Sequence, residues 1–168
     1  KLAPAIFRID IKKEEEKHLK EVQSEHPRLV HKNYRVSNPN IFGKSIGELD
    51  IRTITGCNVS RILHNNASST PYPHTLLYEG DILKAVGTPE GLEKFRLFIG
   101  EESNIPIPLG DRYIVETILV SNKKIVNRSL SNLGLMPAYN ATAASIRRSG
   151  IDILPCANTR LQLGDKVT

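Results

Sequence analysis

At 168 residues the chain has room for one domain or two small ones. Its 39% hydrophobic content supports folded cores, and nine aromatic residues (five Tyr, four Phe) with no Trp predict small aliphatic ones. No run approaches the ~18 apolar residues of a membrane span. The net charge of +5 is dispersed rather than gathered on one aromatic-studded element, which argues against a nucleic-acid binder.

In chain order, KLAPAIFRI is apolar and reads as a junction to an attached segment. DIKKEEEKHLKEVQSEH follows, with Glu14–Glu16 near a helix start, bases further on, and Glu16 and Lys20 at i,i+4. Its apolar residues are sparse, so residues 1–33 are expected to form a partly helical connector. NYRVSNP then predicts an extended segment. GKSIGELDI predicts a short helix, with Ile46 and Leu49 on one face. CNVSRILHN predicts a strand, and NASSTPYPH a turn-rich link carrying Pro71. TLLYEGDILKAVG predicts two extended pieces broken by Gly80-Asp81, where Gly tolerates positive φ and Asp can bond nearby amides. TPEGLEKFRLFIG predicts a helix capped by Thr88, started by Pro89, and apolar along Leu92, Phe95, Phe98 and Ile99.

The same grammar then begins again. At an offset of 84, nine of the 43 positions from Ile41 to Leu83 are identical, among them Ser45/Ser129, Ile62/Ile146, Pro71/Pro155, Gly80/Gly164 and Asp81/Asp165. DRYIVETILVSN, NRSLSNLGL and ATAASIRRS repeat the strand, helix and strand. An internal repeat decides architecture before any local reading does. It predicts a first lobe over 34–104 and a second over 105–168. The second is truncated at its C-terminal end, because its closing helix would fall at roughly 167–184 by the same offset. That unfinished copy and a first residue other than Met predict a longer parent chain.

The residues carry little catalytic chemistry. Gly43-Lys44-Ser45 has the order of a phosphate-binding P-loop, but Asn38 stands where its first glycine belongs. The five histidines show no metal spacing, and Cys57 and Cys156 have no neighbour at C-x-x-C distance. Both read as free thiols of a reducing compartment. Sequons at Asn58, Asn66, Asn127 and Asn140 read as coincidence without a secretory leader. Asp81 and Asp165 lie in equivalent turns of separate copies, whereas paired acids must converge on one bond. The sequence predicts no enzyme, no metal and no cofactor.

Residues 43–100, from GKSIGELDIRTITGCNVSRILHNN through TPYPHTLLYEGDILKAVGTPEGLEKFRLFIG, resemble the TrkA-C domain, the C-terminal lobe of RCK regulatory modules. Residues 127–167 resemble a second, weaker copy, with Asn140 in place of Gly56 and Thr142 in place of Asn58. Such a tandem is similar to the insert of the YidE/YbjL group of transporters, themselves similar to aspartate:alanine exchangers. The resemblance implies an α+β fold of two lobes, each a small β-sheet flanked by helices and commonly paired into dimers. It also implies a place on the cytoplasmic face of the bacterial inner membrane, joined to the transporter's membrane helices. A regulatory, ligand-sensing role follows; the alternative is a dimerisation scaffold that binds no small ligand. Some members take cyclic di-AMP at a dimer interface, which carries over to Ile51, Arg52, Ile54, Asn58 and Pro71 for a small anionic or nucleotide ligand. Arg52 is suited to forked contacts with phosphate, and Met136 at the equivalent position makes copy one the expected host. The plainer reading of Arg52 is a helix-end base favoured by the dipole.

Overall fold

The computed structural model describes residues 28–109 and 114–168. The connector helix expected near Glu14–Glu16 lies outside them. Two four-stranded antiparallel sheets account for the described strands. The first holds β1 (Val30–Arg35), β2 (Asn58–His64), β3 (Ala67–Ser69) and β4 (Ile82–Gly87) in the order β1-β4-β2-β3. The second holds β5 (Ile118–Leu119), β6 (Ile146–Arg148), β7 (Ile151–Ile153) and β8 (Lys166–Val167) in the order β5-β8-β6-β7. Each strand of the second sheet repeats one of the first. Ile62 faces Leu83 and Ser69 in lobe one, and Ile146 faces Val167 and Ile153 in lobe two. All of these partners are offset by 84.

Backbone conformation repeats more faithfully than side chains do. Gly43, Asp50, Gly56, Asn65, Asn66 and Gly80 have positive φ, and so do Asn127, Gly134, Asn140, Ser149, Gly150 and Gly164, each 84 residues later. Gly and Asn are the residues that enter the left-handed region most readily, so Asn140 in place of Gly56 keeps the same turn. Gly80 and Gly164 have φ of 83° and 87°, and their amides donate to Val36 and Val120, again equivalent residues. The adjacent aspartates close the turn, Asp81 accepting from the Tyr78 amide and Asp165 from that of Gln162, both at 2.9 Å or less.

Helix α1 (Ile51–Thr55) packs against α2 (Pro89–Ile99), which packs on β1 and β4 of the first sheet. Helix α2 begins as its sequence requires: the Thr88 hydroxyl accepts from the Gly91 amide at 3.1 Å, and Pro89 follows. Leu92, Phe95 and Ile99 are buried, with Phe98 packed beside them. Phe95 meets Tyr34 at a ring-centroid distance of 5.0 Å. Burial, assisted by the Glu102 charge, pushes the Tyr34 phenol up to about 12. Gly87 is required where β4 passes Cys57, because a Cβ there would collide with the Cys57 sulfur.

The helix expected over GKSIGELDI is instead a series of turns, and α1 starts only at Ile51. The Glu48 carboxylate accepts from the Ser45 amide and hydroxyl at 2.8 and 2.7 Å, and Asp50 adopts φ 41°. In lobe two the same break, at Gly134, separates α3 (Leu130–Leu133) from α4 (Leu135–Tyr139). The second core is correspondingly thin: Val120, Ile146 and Leu161 are its fully buried apolar residues. Ile118 is 65% exposed where its counterpart Tyr34 is 2% exposed, since no described helix lies over this sheet as α2 lies over the first.

Candidate functional site

Helix α1 ends at Gly56, whose left-handed conformation turns the chain into β2 and brings Arg52 beside Asn58. The Arg52 Nη1 donates to Asn58 Oδ1 at 2.6 Å. Both side chains then reach the other lobe. Arg52 donates from Nη1 to the carbonyl of Pro155 and from Nη2 to that of Leu154 at 3.1 Å. The Asn58 amide donates to the Pro155 carbonyl at 2.8 Å. Further along the same junction, the Tyr72 hydroxyl meets Asn140 Oδ1 at 3.2 Å.

These contacts are reciprocal. Residues 52–58 of lobe one touch 154–155 of lobe two, while Tyr72 of lobe one touches Asn140 of lobe two. Shifted by 84, the first set maps next to the second. The two copies therefore pair as an isologous dimer does, but within a single chain.

A cleft of about 320 Å³ opens along this junction, floored by Arg52, Asn58 and Ser60, with Pro71–Pro73 on one side and Thr142–Ala144 on the other. Arg52 belongs to no ion pair among the described residues. Its hydrogen-bond partners are neutral oxygens, so no described carboxylate pairs with it directly. A guanidinium has five N–H donors, and the described residues engage three of those of Arg52. Cys156 follows Pro155, and its thiol is held below the usual range, chiefly by the Thr159 hydroxyl and in lesser part by the Arg52 charge.

Of the residues expected to form a site, Ile51, Arg52, Asn58 and Pro71 line the cleft, whereas Ile54 is 51% exposed and does not. Sequence reasoning did not find Ser60, Tyr72 or Thr142–Ala144. Their signal was the offset of 84, which maps the residues around Asn58 onto 142–144. The remaining candidates have local roles. The Ser45 amide of the P-loop-like stretch is taken by Glu48. Asp81 and Asp165 do not converge; each serves its own turn, paired with His64 and Arg148 respectively. Among the described residues no cluster of three or more His, Cys, Asp or Glu is placed to hold a metal, and no helix is long and apolar enough to cross a membrane.

Comparison with known proteins agrees with the repeat. The TrkA-C domain profile matches twice, at residues 34–100 and 114–168. An uncharacterized transporter of Bacteroides fragilis, BF2680, is 37% identical over 99% of this chain, and one of Bacteroides thetaiotaomicron is 35% identical over 99%. The chain spans 31% of the length of each. Among solved structures, the RCK C domain of the potassium transport protein KtrA in complex with cyclic diadenosine monophosphate matches 52% of this chain and 99% of its own. It does so at 28% identity and a TM-score of 0.38. The RCK_C domain dimer of S. agalactiae BusR in complex with c-di-AMP matches 44% of this chain and 88% of its own, at 24% identity and a TM-score of 0.37. With two profile matches falling on two lobes of one topology, the chain belongs to the TrkA-C domain family, in tandem copies.

Proposed function

We propose that the paired lobes are the cytoplasmic ligand-sensing module of a bacterial membrane transporter of the aspartate:alanine exchanger-like group, with no catalysis of their own. The cleft between them takes a small anionic ligand. The observation that carries this reading is the Arg52 guanidinium, ion-paired to no described carboxylate, at the seam of the two lobes. Similarity to transporters across 99% of the chain supports the attachment to membrane helices. An anion at Arg52 would alter the hydrogen bonds that join the lobes, and a change in their angle would pass to whatever is attached.

A second reading has its own observation. Arg52 and Asn58 already bond lobe two, as a scaffold that binds nothing small would require. In either case homodimerisation of the chain would use a different face, since the pairing face is filled from within. Calorimetric titration of the 168-residue chain with inorganic phosphate, AMP, cyclic di-AMP and aspartate separates the two. Saturable binding weakened at least tenfold in Arg52→Ala supports sensing. A folded chain that binds none of them supports the scaffold.

A further inference from the structure

The two walls of the cleft are not equivalent, and this bears on what the site selects; the inference rests on the sensing reading above. In a closed two-fold pair each recognition group occurs twice. Here the copies have diverged at the seam. Position 52 is Arg and its counterpart 136 is Met; Asn58 corresponds to Thr142, and Ser60 to Ala144. The lobe-one wall therefore offers a guanidinium, an amide and a hydroxyl, whereas Thr142, Ala143 and Ala144 offer one hydroxyl and methyl groups. Arg52 is the one cation among the described lining residues, and the other charged lining residue is Asp50, an anion. The volume of about 320 Å³ sits at the lower end of small-molecule pockets, which run from ~300 to ~1,000 Å³.

We propose that the cleft is specific for an asymmetric ligand with one anionic group, a phosphate monoester or carboxylate held by Arg52 and Asn58, and an uncharged body lying against Thr142–Ala144. A two-fold symmetric diester is disfavoured. Its second phosphate would find no cation on the lobe-two wall, and burying an anionic group without a partner is costly.

The test is calorimetry on the 168-residue chain with AMP, inorganic phosphate and cyclic di-AMP at one ionic strength. AMP is expected to bind one per chain and at least tenfold more tightly than cyclic di-AMP. Amide NMR shifts caused by phosphate should centre on Arg52 and Asn58 rather than Met136. Arg52→Lys, which keeps the charge but not the fork, should weaken AMP about tenfold while leaving the spectrum of the free chain folded. Met136→Arg/Thr142→Asn, which restores the missing half, should raise cyclic di-AMP affinity at least tenfold. Tighter binding of cyclic di-AMP than of AMP by the unaltered chain, lost in Arg52→Ala, would overturn the asymmetry while leaving the sensing reading intact. Absence of binding by all three probes in a folded chain would overturn both.

Discussion

Replacing Asp165 by Ala removes the most heavily bonded carboxylate among the described residues of lobe two. Its side chain is wholly buried, and it accepts from Arg148 Nε, Arg148 Nη2 and the Gln162 amide, all at 2.8 Å. Ala leaves the Gln162 amide without its acceptor, and Arg148 with the Arg160 carbonyl alone. Breaking a buried ion pair from one side costs about 3–5 kcal/mol. The Arg148 side chain is 26% exposed and can recover some hydration, which places the cost near the lower bound, about 3 kcal/mol. At about 1.4 kcal/mol per decade this is roughly a hundredfold in the opening equilibrium of a lobe with a thin core. Amide hydrogen exchange read by NMR should show Ile146 and Val167 losing roughly a hundredfold of protection, with Ile62 and Leu83 of lobe one unchanged. A loss below fivefold would refute the reasoning. The pH dependence carries a sign. Arg148 holds the Asp165 carboxyl below its ordinary 3.8, so the folded state binds fewer protons than the unfolded one around that pH. The stabilisation is complete above 3.8 and disappears as pH falls through the lowered value. Asp165→Ala should lack this acid-side loss.

Three other substitutions probe the packing and the paired turns. Phe95→Ala, at a fully buried position, should destabilise lobe one by about 3–5 kcal/mol, seen as a lower urea midpoint for lobe-one resonances while those of lobe two hold. Gly87→Ala should cost about 1–3 kcal/mol through collision with the Cys57 sulfur, and Cys57→Ala in the same chain should restore most of the loss in thermal melting. His64 bonds Asp81 at 2.6 Å where Arg148 bonds Asp165. His64→Arg should therefore be tolerated, with a melting temperature at pH 7 equal to or above that of the unaltered chain; a fall of several degrees would show that the two turns are not interchangeable.

Legibility in the sequence followed how local each determinant is. Helix α2 was readable because its N-cap Thr88, Pro89 and the spacing of Leu92, Phe95 and Ile99 all act locally, within the cap and the eleven-residue helix Pro89–Ile99. The Gly-Asp turns were readable because few residues combine positive φ with a self-capping carboxylate. The stretch GKSIGELDI misled because Ile46 and Leu49 do point inward together, yet Glu48 bonds back to Ser45 and Asp50 turns left-handed before a helix can propagate. The strand read in ATAASIRRS is formed only at Ile146–Arg148. Most of the predicted site was reached through the family resemblance, but the lobe-two partners of Arg52 were not. Leu154 and Pro155 contribute backbone carbonyls to Arg52, and carbonyls leave no mark on residue type.

The edges of the two sheets differ in a way that matters for handling the protein. Beside β1 the chain returns after α2, where the Arg35 amide donates to the Glu101 carbonyl, that of Ser103 donates to the Asn33 carbonyl, and Tyr34 bridges Glu102. Among the described residues β5 has no such companion, and Ile118 and Leu119 stand 65% and 56% exposed on it. An outer strand with free amides and carbonyls and greasy side chains invites strand addition from a neighbouring molecule. Concentrated solutions of this polypeptide should accordingly self-associate through β5, and a lysine introduced at Ile118 is the simplest gatekeeper against it.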